Sequence, residues 1–210
     1  YNVAVGHNAG LSVTTGVANT LIGGLAGDAL TDADNNIALG YLSLSSDTLG
    51  SRSIAIGAGA LNSQNFTSAT DTYNVAVGHN AGNNVTTGTN NTLIGGLAGD
   101  AITTASYNSA LGYASLGANT TGNYNVAVGG FALDANTSAN SNTAVGYSSL
   151  TANTTGANNT AYGRDSLLSN TTGDNNTAVG FEALDANTTG VQNVAMGALS
   201  LSANTTSNNN

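Results

Sequence analysis

NTAVGYSSLTANTTGAN fills residues 142–158, and at Asn159 the chain starts again with NTAYGRDSLLSNTTGDN. Repetition at a fixed period outranks every other pattern, because a tandem array folds by stacking its copies and not by closing one core. The phrase Asn, x, Ala, aliphatic, Gly sets its glycine at Gly6, Gly23, Gly40, Gly57, Gly78, Gly95, Gly112, Gly129, Gly146, Gly163, Gly180 and Gly197. Successive glycines are 17 residues apart, except for 21 between Gly57 and Gly78. Residues 1–210 therefore read as a single array of twelve copies with a four-residue insertion near 65–72. A longer similarity lies over it: YNVAVGHNAG at 1–10 returns at 73–82, and NTLIGGLAGDA at 19–29 returns at 91–101, as block duplication would leave them. The chain begins and ends inside a phrase, so it is expected to be an excerpt of a longer one.

When each phrase is counted from its Asn as position 1, position 5 is always Gly, position 8 is Ala or Ser, and position 9 is Leu or Gly. Position 2 is β-branched except at Ser109, position 3 is Ala except at Leu21 and Leu93, and position 4 is aliphatic except at Tyr162 and Met196. Positions 2, 4 and 9 make no 3.6-residue stripe, and Gly with β-branched residues disfavours a helix. The alternation of 2 and 4 against 3 and 5 predicts a strand with large side chains on one face and small ones on the other. A second short strand is expected around positions 8–13. Turns are expected at the position-15 Gly and the Asn-rich stretch after it, where positive φ is tolerated. One phrase cannot bury its own apolar face, but stacked copies can, which predicts an all-β chain folded as a parallel β-solenoid of twelve 17-residue rungs. At about 4.8 Å per rung the rod would be roughly 55 Å long. Asn and Thr in register would form hydrogen-bonded ladders along it.

Composition narrows the function. There are 28 glycines, no proline, cysteine or lysine, and only two arginines, Arg52 and Arg164. The net charge of −9 comes from thinly spread acids, so no nucleic acid partner is expected, since binding one takes clustered Lys and Arg. The longest apolar run, TLIGGLAGDAL at 20–30, is short and carries Asp28, so no membrane span is expected in this segment. Without cysteine there is neither a disulfide scaffold nor a thiolate metal site.

NVAVGHNA (2–9), SIAIGAGA (53–60), NVAVGGFA (125–132) and NTAVGFEA (176–183) resemble the S-V-A-I-G-x-x-[AS] phrase in head domains of trimeric autotransporter adhesins, the YadA-like family. The likeness covers positions 1–8 of every phrase. It implies a left-handed β-roll, three chains side by side as a homotrimer, display outside the cell, and a host protein or glycan as receptor. The family's phrase is commonly shorter, and no neck or stalk segment is present. NTAVGYxAL with NTTG also resembles repetitive phage tail-fibre shafts, which would place the chain on a virion appendage instead. The residues themselves offer a small face at positions 3, 5 and 8, which fits either close approach of another chain or the lining of a narrow single-chain roll.

No catalytic residues and no cofactor are expected. His7 and His79 are one feature copied by block duplication, and nothing in the pattern converges a nucleophile, a base and an orienting group. DADNN at 32–36 makes Asp32 and Asp34 weak candidates for Ca²⁺, although they lack EF-hand spacing and read more simply as a solvated turn. Position 6 is the most variable, and His7, Tyr41, His79, Tyr113, Tyr147, Arg164 and Phe181 there are candidate surface contacts for a protein or glycan. The competing reading has them cover a corner of the roll or pack between chains. NTT or NTS at Asn119, Asn136, Asn153, Asn170, Asn187 and Asn204 match a glycosylation sequon but read first as turn and ladder residues. The Thr column at position 13 raises an ice-binding solenoid as a further alternative. Adjacent Thr pairs such as Thr154 and Thr155 would face opposite ways on a strand, which counts against it.

Overall fold

The computed structural model describes all 210 residues and contains no helix. It is a parallel β-solenoid of about eleven turns, with repeats about 17 residues apart. The strands in chain order are β1 (Val3–Val5), β2 (Thr20–Ile22), β3 (Ile37–Leu39), β4 (Gly50–Ser51), β5 (Ile54–Ile56), β6 (Thr70–Asp71), β7 (Val75–Val77), β8 (Thr92–Ile94), β9 (Ser109–Leu111), β10 (Val126–Val128), β11 (Thr143–Val145), β12 (Thr160–Tyr162), β13 (Thr177–Val179) and β14 (Val194–Met196). All but β4 and β6 form one twelve-stranded parallel sheet, each strand on its neighbour in phrase register, as where Val126, Ala127 and Val128 pair Thr143, Ala144 and Val145. β4 and β6 pair beside the insertion, whose Phe66 tucks under the surface.

The expected second strand at positions 8–13 does not form. Positions 7, 9 and 17 adopt positive φ in copy after copy, as at Ser148 (53°), Leu150 (55°) and Asn158 (58°), and each such residue breaks an extended run. The backbone still bonds from turn to turn there, for example Leu150 N–H to Ser166 O at 2.9 Å and Thr154 N–H to Thr171 O at 2.9 Å. Positive φ at position 17 is why five copies carry Asn there, the non-glycine residue that tolerates it best.

The core lies inside each single chain and is made of the small residues together with the aliphatic side chains of positions 9 and 12. Ala38, Ala76, Ala127 and Ala144 at position 3 are wholly buried, as are the Ala and Ser of position 8 over most of the rod. The small face therefore lines a narrow single-chain roll and is not a surface that meets another chain. The branched residues of positions 2 and 4 point outward instead. The glycine of position 5 is invariant because turns meet there: a Cβ on Gly112 would lie 2.6 Å from the Gly129 carbonyl oxygen, at a φ of +140° that side chains rarely adopt.

Room in so thin a core is shared by a strict exchange. Wherever position 9 is Gly, position 12 is aliphatic (Val13, Leu30, Val85, Ile102), and wherever position 9 is Leu, position 12 is Asp, Gln or Asn. The cause is volume: a Cβ on Gly99 would meet Leu93 Cδ2 at 2.7 Å and Ile102 Cδ1 at 2.8 Å. The two Leu exceptions at position 3, Leu21 and Leu93, fall where position 9 is Gly both in their own phrase and in the one before.

Four side-chain ladders lock the turns together. At position 1, buried Asn side chains accept the next Asn N–H (Asn159 N–H to Asn142 Oδ1, 2.9 Å) and donate to the position-15 carbonyl (Asn142 Nδ2 to Gly156 O, 2.9 Å). At position 12, Asn136, Asn153, Asn170 and Asn187 chain amide to amide. At position 16, a side-chain oxygen accepts the N–H of the turn before, as Asp174 does from Ala157 (2.6 Å). Thr hydroxyls of position 13 donate to the next Thr carbonyl, as from Thr154 to Thr171 (3.1 Å). These bonds satisfy polar groups that a core of alanines cannot.

Candidate binding surface

The position-6 column stands at the surface immediately after the strand-ending glycine. His7, Tyr41, His79, Tyr113, Tyr147, Arg164 and Phe181 are all exposed, so the structure places every one of these candidates on the outside of the single chain. Three tyrosines share one seat. Tyr41, Tyr113 and Tyr147 each follow a phrase whose position 6 is glycine, and their rings lie against the space a side chain of Gly24, Gly96 or Gly130 would fill. Tyr113 and Tyr147 are further joined by Phe131 at position 7, which meets both edge to face at centroid distances of 5.5 and 5.9 Å. In the following turns Arg164 lies 4.6 Å over the Phe181 ring and pairs with Asp165 at 3.1 Å and Glu182 at 3.7 Å. Tyr113, Phe131, Tyr147, Arg164 and Phe181 thus lie in five consecutive turns as one ledge, in contact within the Tyr113–Phe131–Tyr147 group and within the Arg164–Phe181 pair.

A second aromatic column, at position 17, escaped the sequence reading because only three copies carry a ring there. Tyr107 and Tyr124 stack at 5.2 Å, and Arg52 donates to the Tyr73 hydroxyl and pairs with Asp71. Consecutive Tyr one period apart (Tyr107, Tyr124) was the available signal.

Asp32 and Asp34 do not converge. Asp34 accepts the Val17 N–H at 2.7 Å within the position-16 ladder, and Asp32 accepts the Thr15 hydroxyl in a separate bond between neighbouring turns. No three His, Asp or Glu side chains gather as a metal site, and the surface has no cavity. The sequon asparagines Asn119, Asn136, Asn153, Asn170 and Asn187 are wholly buried in the position-12 ladder, where a glycan has no room.

One buried polar cluster breaks the repeat beside the insertion. Asp47 accepts from Gln64 Nε2 (2.6 Å) and from the Gly50 and Phe66 amides (both 3.0 Å), and Gln64 also binds Ser53 and Asn74. Burial without a cation raises the Asp47 carboxyl above the usual carboxylate range, partly offset by those hydrogen bonds. Desolvation likewise raises Asp100 and Asp134, and the charge of Asp134 adds to the effect on Asp100. The Asp47 cluster joins the aliphatic-core phrases to the polar-core ones, and nothing in it opens to solvent. Compared with protein-family models, with curated proteins and with solved structures, the chain matches none.

Proposed function

We propose that this chain is a non-enzymatic segment of an extracellular fibre of the trimeric adhesin-head type, a stiff rod of twelve left-handed rungs that carries an adhesive surface. The observation that carries this reading is the outward face of the twelve-stranded sheet. Val5, Ile22, Ile56, Ile94, Leu111 and Met196 are exposed members of the position-4 column, whose other side chains, Leu39, Val77, Val128, Val145, Tyr162 and Val179, are half-buried or exposed, so that the column reaches the surface from one end of the sheet to the other. A contiguous apolar stripe of that extent favours a partner surface. A second and third copy are the natural occupants, because identical rods match one another's rise and register over their full length, and a head-to-tail contact closes into a ring of three. The small-residue contact is replaced in this proposal by contact through the branched residues. Extension of reach is what the repetition supplies, since each rung is stabilised by its neighbours and length grows with copy number.

A phage tail-fibre shaft shares all of these features and is the second reading; flanking sequence separates the two, through a stalk with an outer-membrane anchor or a baseplate-attachment domain. The ice-binding alternative is less well supported, because the position-13 hydroxyls are committed to backbone carbonyls. A single cysteine tests the assembly, as the chain has none of its own. With a short bifunctional thiol reagent, Val145→Cys, on the strand face, should cross-link between chains around the threefold, while Ser46→Cys, exposed away from the strands, should not. Equal cross-linking at both sites, or none at Val145→Cys, would remove the proposed contact.

A further inference from the structure

We infer that the ledge Tyr113–Phe131–Tyr147–Arg164–Phe181 is a binding site for an extended, neutral, β-linked polysaccharide chain laid along the rod. The inference rests on the reading of the chain as an adhesive rod and names the ligand class its surface fits.

The rings are held in place rather than scattered. Tyr113 and Tyr147 each lie against bare backbone supplied by the glycine of the preceding phrase, and the Phe131 ring lies between them nearly perpendicular to both, at 78° and 87°. A ring held this way is ordered before the ligand arrives, so little side-chain entropy is lost on binding. Both tyrosines remain more than half exposed, at 56%, and their hydroxyls make no hydrogen bond within the chain. Aromatic rings with an open side present a flat apolar surface and a polar tip. The C–H face and equatorial hydroxyls of a pyranose match that pair of features. Tyr113 and Tyr147 are two rungs apart, about 9.6 Å from the ordinary strand spacing. That separation is close to one disaccharide unit of an extended β-1,4-linked glycan, so successive like-facing sugars would meet successive rings.

Shape and charge restrict the class further. The surface has no cavity, which disfavours a small molecule or a chain end held in a pocket and favours a polymer lying along a ledge. An anionic polymer is disfavoured by a net charge of −9 and by Arg164 being already paired with Asp165 and Glu182. The Arg164 and Glu182 groups at the far end of the ledge supply a donor and an acceptor for sugar hydroxyls. Tyr41 sits on Gly24 in the same way but has no aromatic neighbour, so the chain carries its own control.

The test is native affinity electrophoresis of the 210-residue chain through gels containing hydroxyethylcellulose, and in parallel through gels containing heparin. Retardation by hydroxyethylcellulose is expected for the unaltered chain. Tyr113→Ala and Tyr147→Ala should each weaken it roughly tenfold, Tyr113→Phe should largely keep it, and Tyr41→Ala should leave it unchanged. Circular dichroism on each variant checks that the fold is retained. Absence of retardation by hydroxyethylcellulose, retardation by heparin alone, or equal retardation of all variants would overturn the inference. Light scattering on the same sample reports assembly independently, so loss of the ledge's function and failure of the fibre reading give different results.

Discussion

Asn153→Ala probes the position-12 ladder at its centre. Asn153 is wholly buried; its amide donates to Gly156 O (2.9 Å) and Asn136 Oδ1 (3.2 Å), and its Oδ1 accepts from Asn170 Nδ2 (3.0 Å). Truncation removes these three bonds, at about 1 kcal/mol each. Two of the groups left behind keep another partner: Gly156 O still receives Asn142 Nδ2, and Asn170 Nδ2 still reaches Gly173 O. Asn136 Oδ1 alone is stranded, which costs about 1 kcal/mol more. The expected loss is therefore about 3–4 kcal/mol. Asn204, near the last turn, is the internal control, since its amide bonds are long (3.2 Å to both Asn187 Oδ1 and Ser207 O) and partly solvated. Asn204→Ala should lose less than about 1 kcal/mol. Denaturant unfolding followed by circular dichroism gives both values, and hydrogen exchange should show protection falling first in the rungs around Asn153, because repeats are coupled mainly to their neighbours. A loss below about 1 kcal/mol at Asn153, or equal losses at the two sites, would refute the ladder as a source of stability.

Three further outcomes follow from the packing and the buried acids. Gly112→Ala forces a Cβ to within 2.6 Å of the Gly129 carbonyl and should cost more than about 3 kcal/mol in thermal or denaturant unfolding, whereas Gly197→Ala, with nothing within 4 Å, should cost much less. Leu150→Gly and Asn153→Val should each destabilise, yet the double variant should recover at least about 1 kcal/mol of the summed loss in a double-mutant cycle; strict additivity would mean that positions 9 and 12 do not share volume. Asp47 holds its proton more tightly folded than unfolded, so between its ordinary and raised pKa the folded state binds more protons, and its ionisation destabilises the fold as pH rises. Lowering pH from neutrality toward the carboxylate range should therefore raise the melting temperature through this group, and Asp47→Asn should flatten that rise.

The repeat made much of this architecture legible. Seventeen-residue spacing, a strand at positions 2–4, turns at the Asn-rich joins and the necessity of Gly at position 5 all follow from columns of identical residues, and the structure agrees at each. The facing of the strand did not follow. Alternation shows that two faces differ but not which one is inside, and large apolar residues usually point inward; here the roll is so narrow that beside Leu133 and Leu150 of position 9 it has room at position 3 only for Ala127 and Ala144, leaving Val128 and Val145 outside. The absent second strand had a hidden cause as well, since Leu at positive φ, as at Leu150 and Leu167, carries no marker in the sequence. The exchange between positions 9 and 12 was written in the chain and becomes readable once geometry shows the two to be neighbours. Of the surface, position 6 was found by its variability, while the Tyr73, Tyr107 and Tyr124 column, present in only three copies, was too sparse to register as a column.

The central claim, that the outward strand face joins three chains, is tested most directly by the solution mass of the segment from light scattering, with a circular dichroism spectrum of the same sample. Three chains of 20.5 kDa with a β spectrum, about 61.5 kDa in all, is the result expected here. A β-rich species of 20.5 kDa would contradict it.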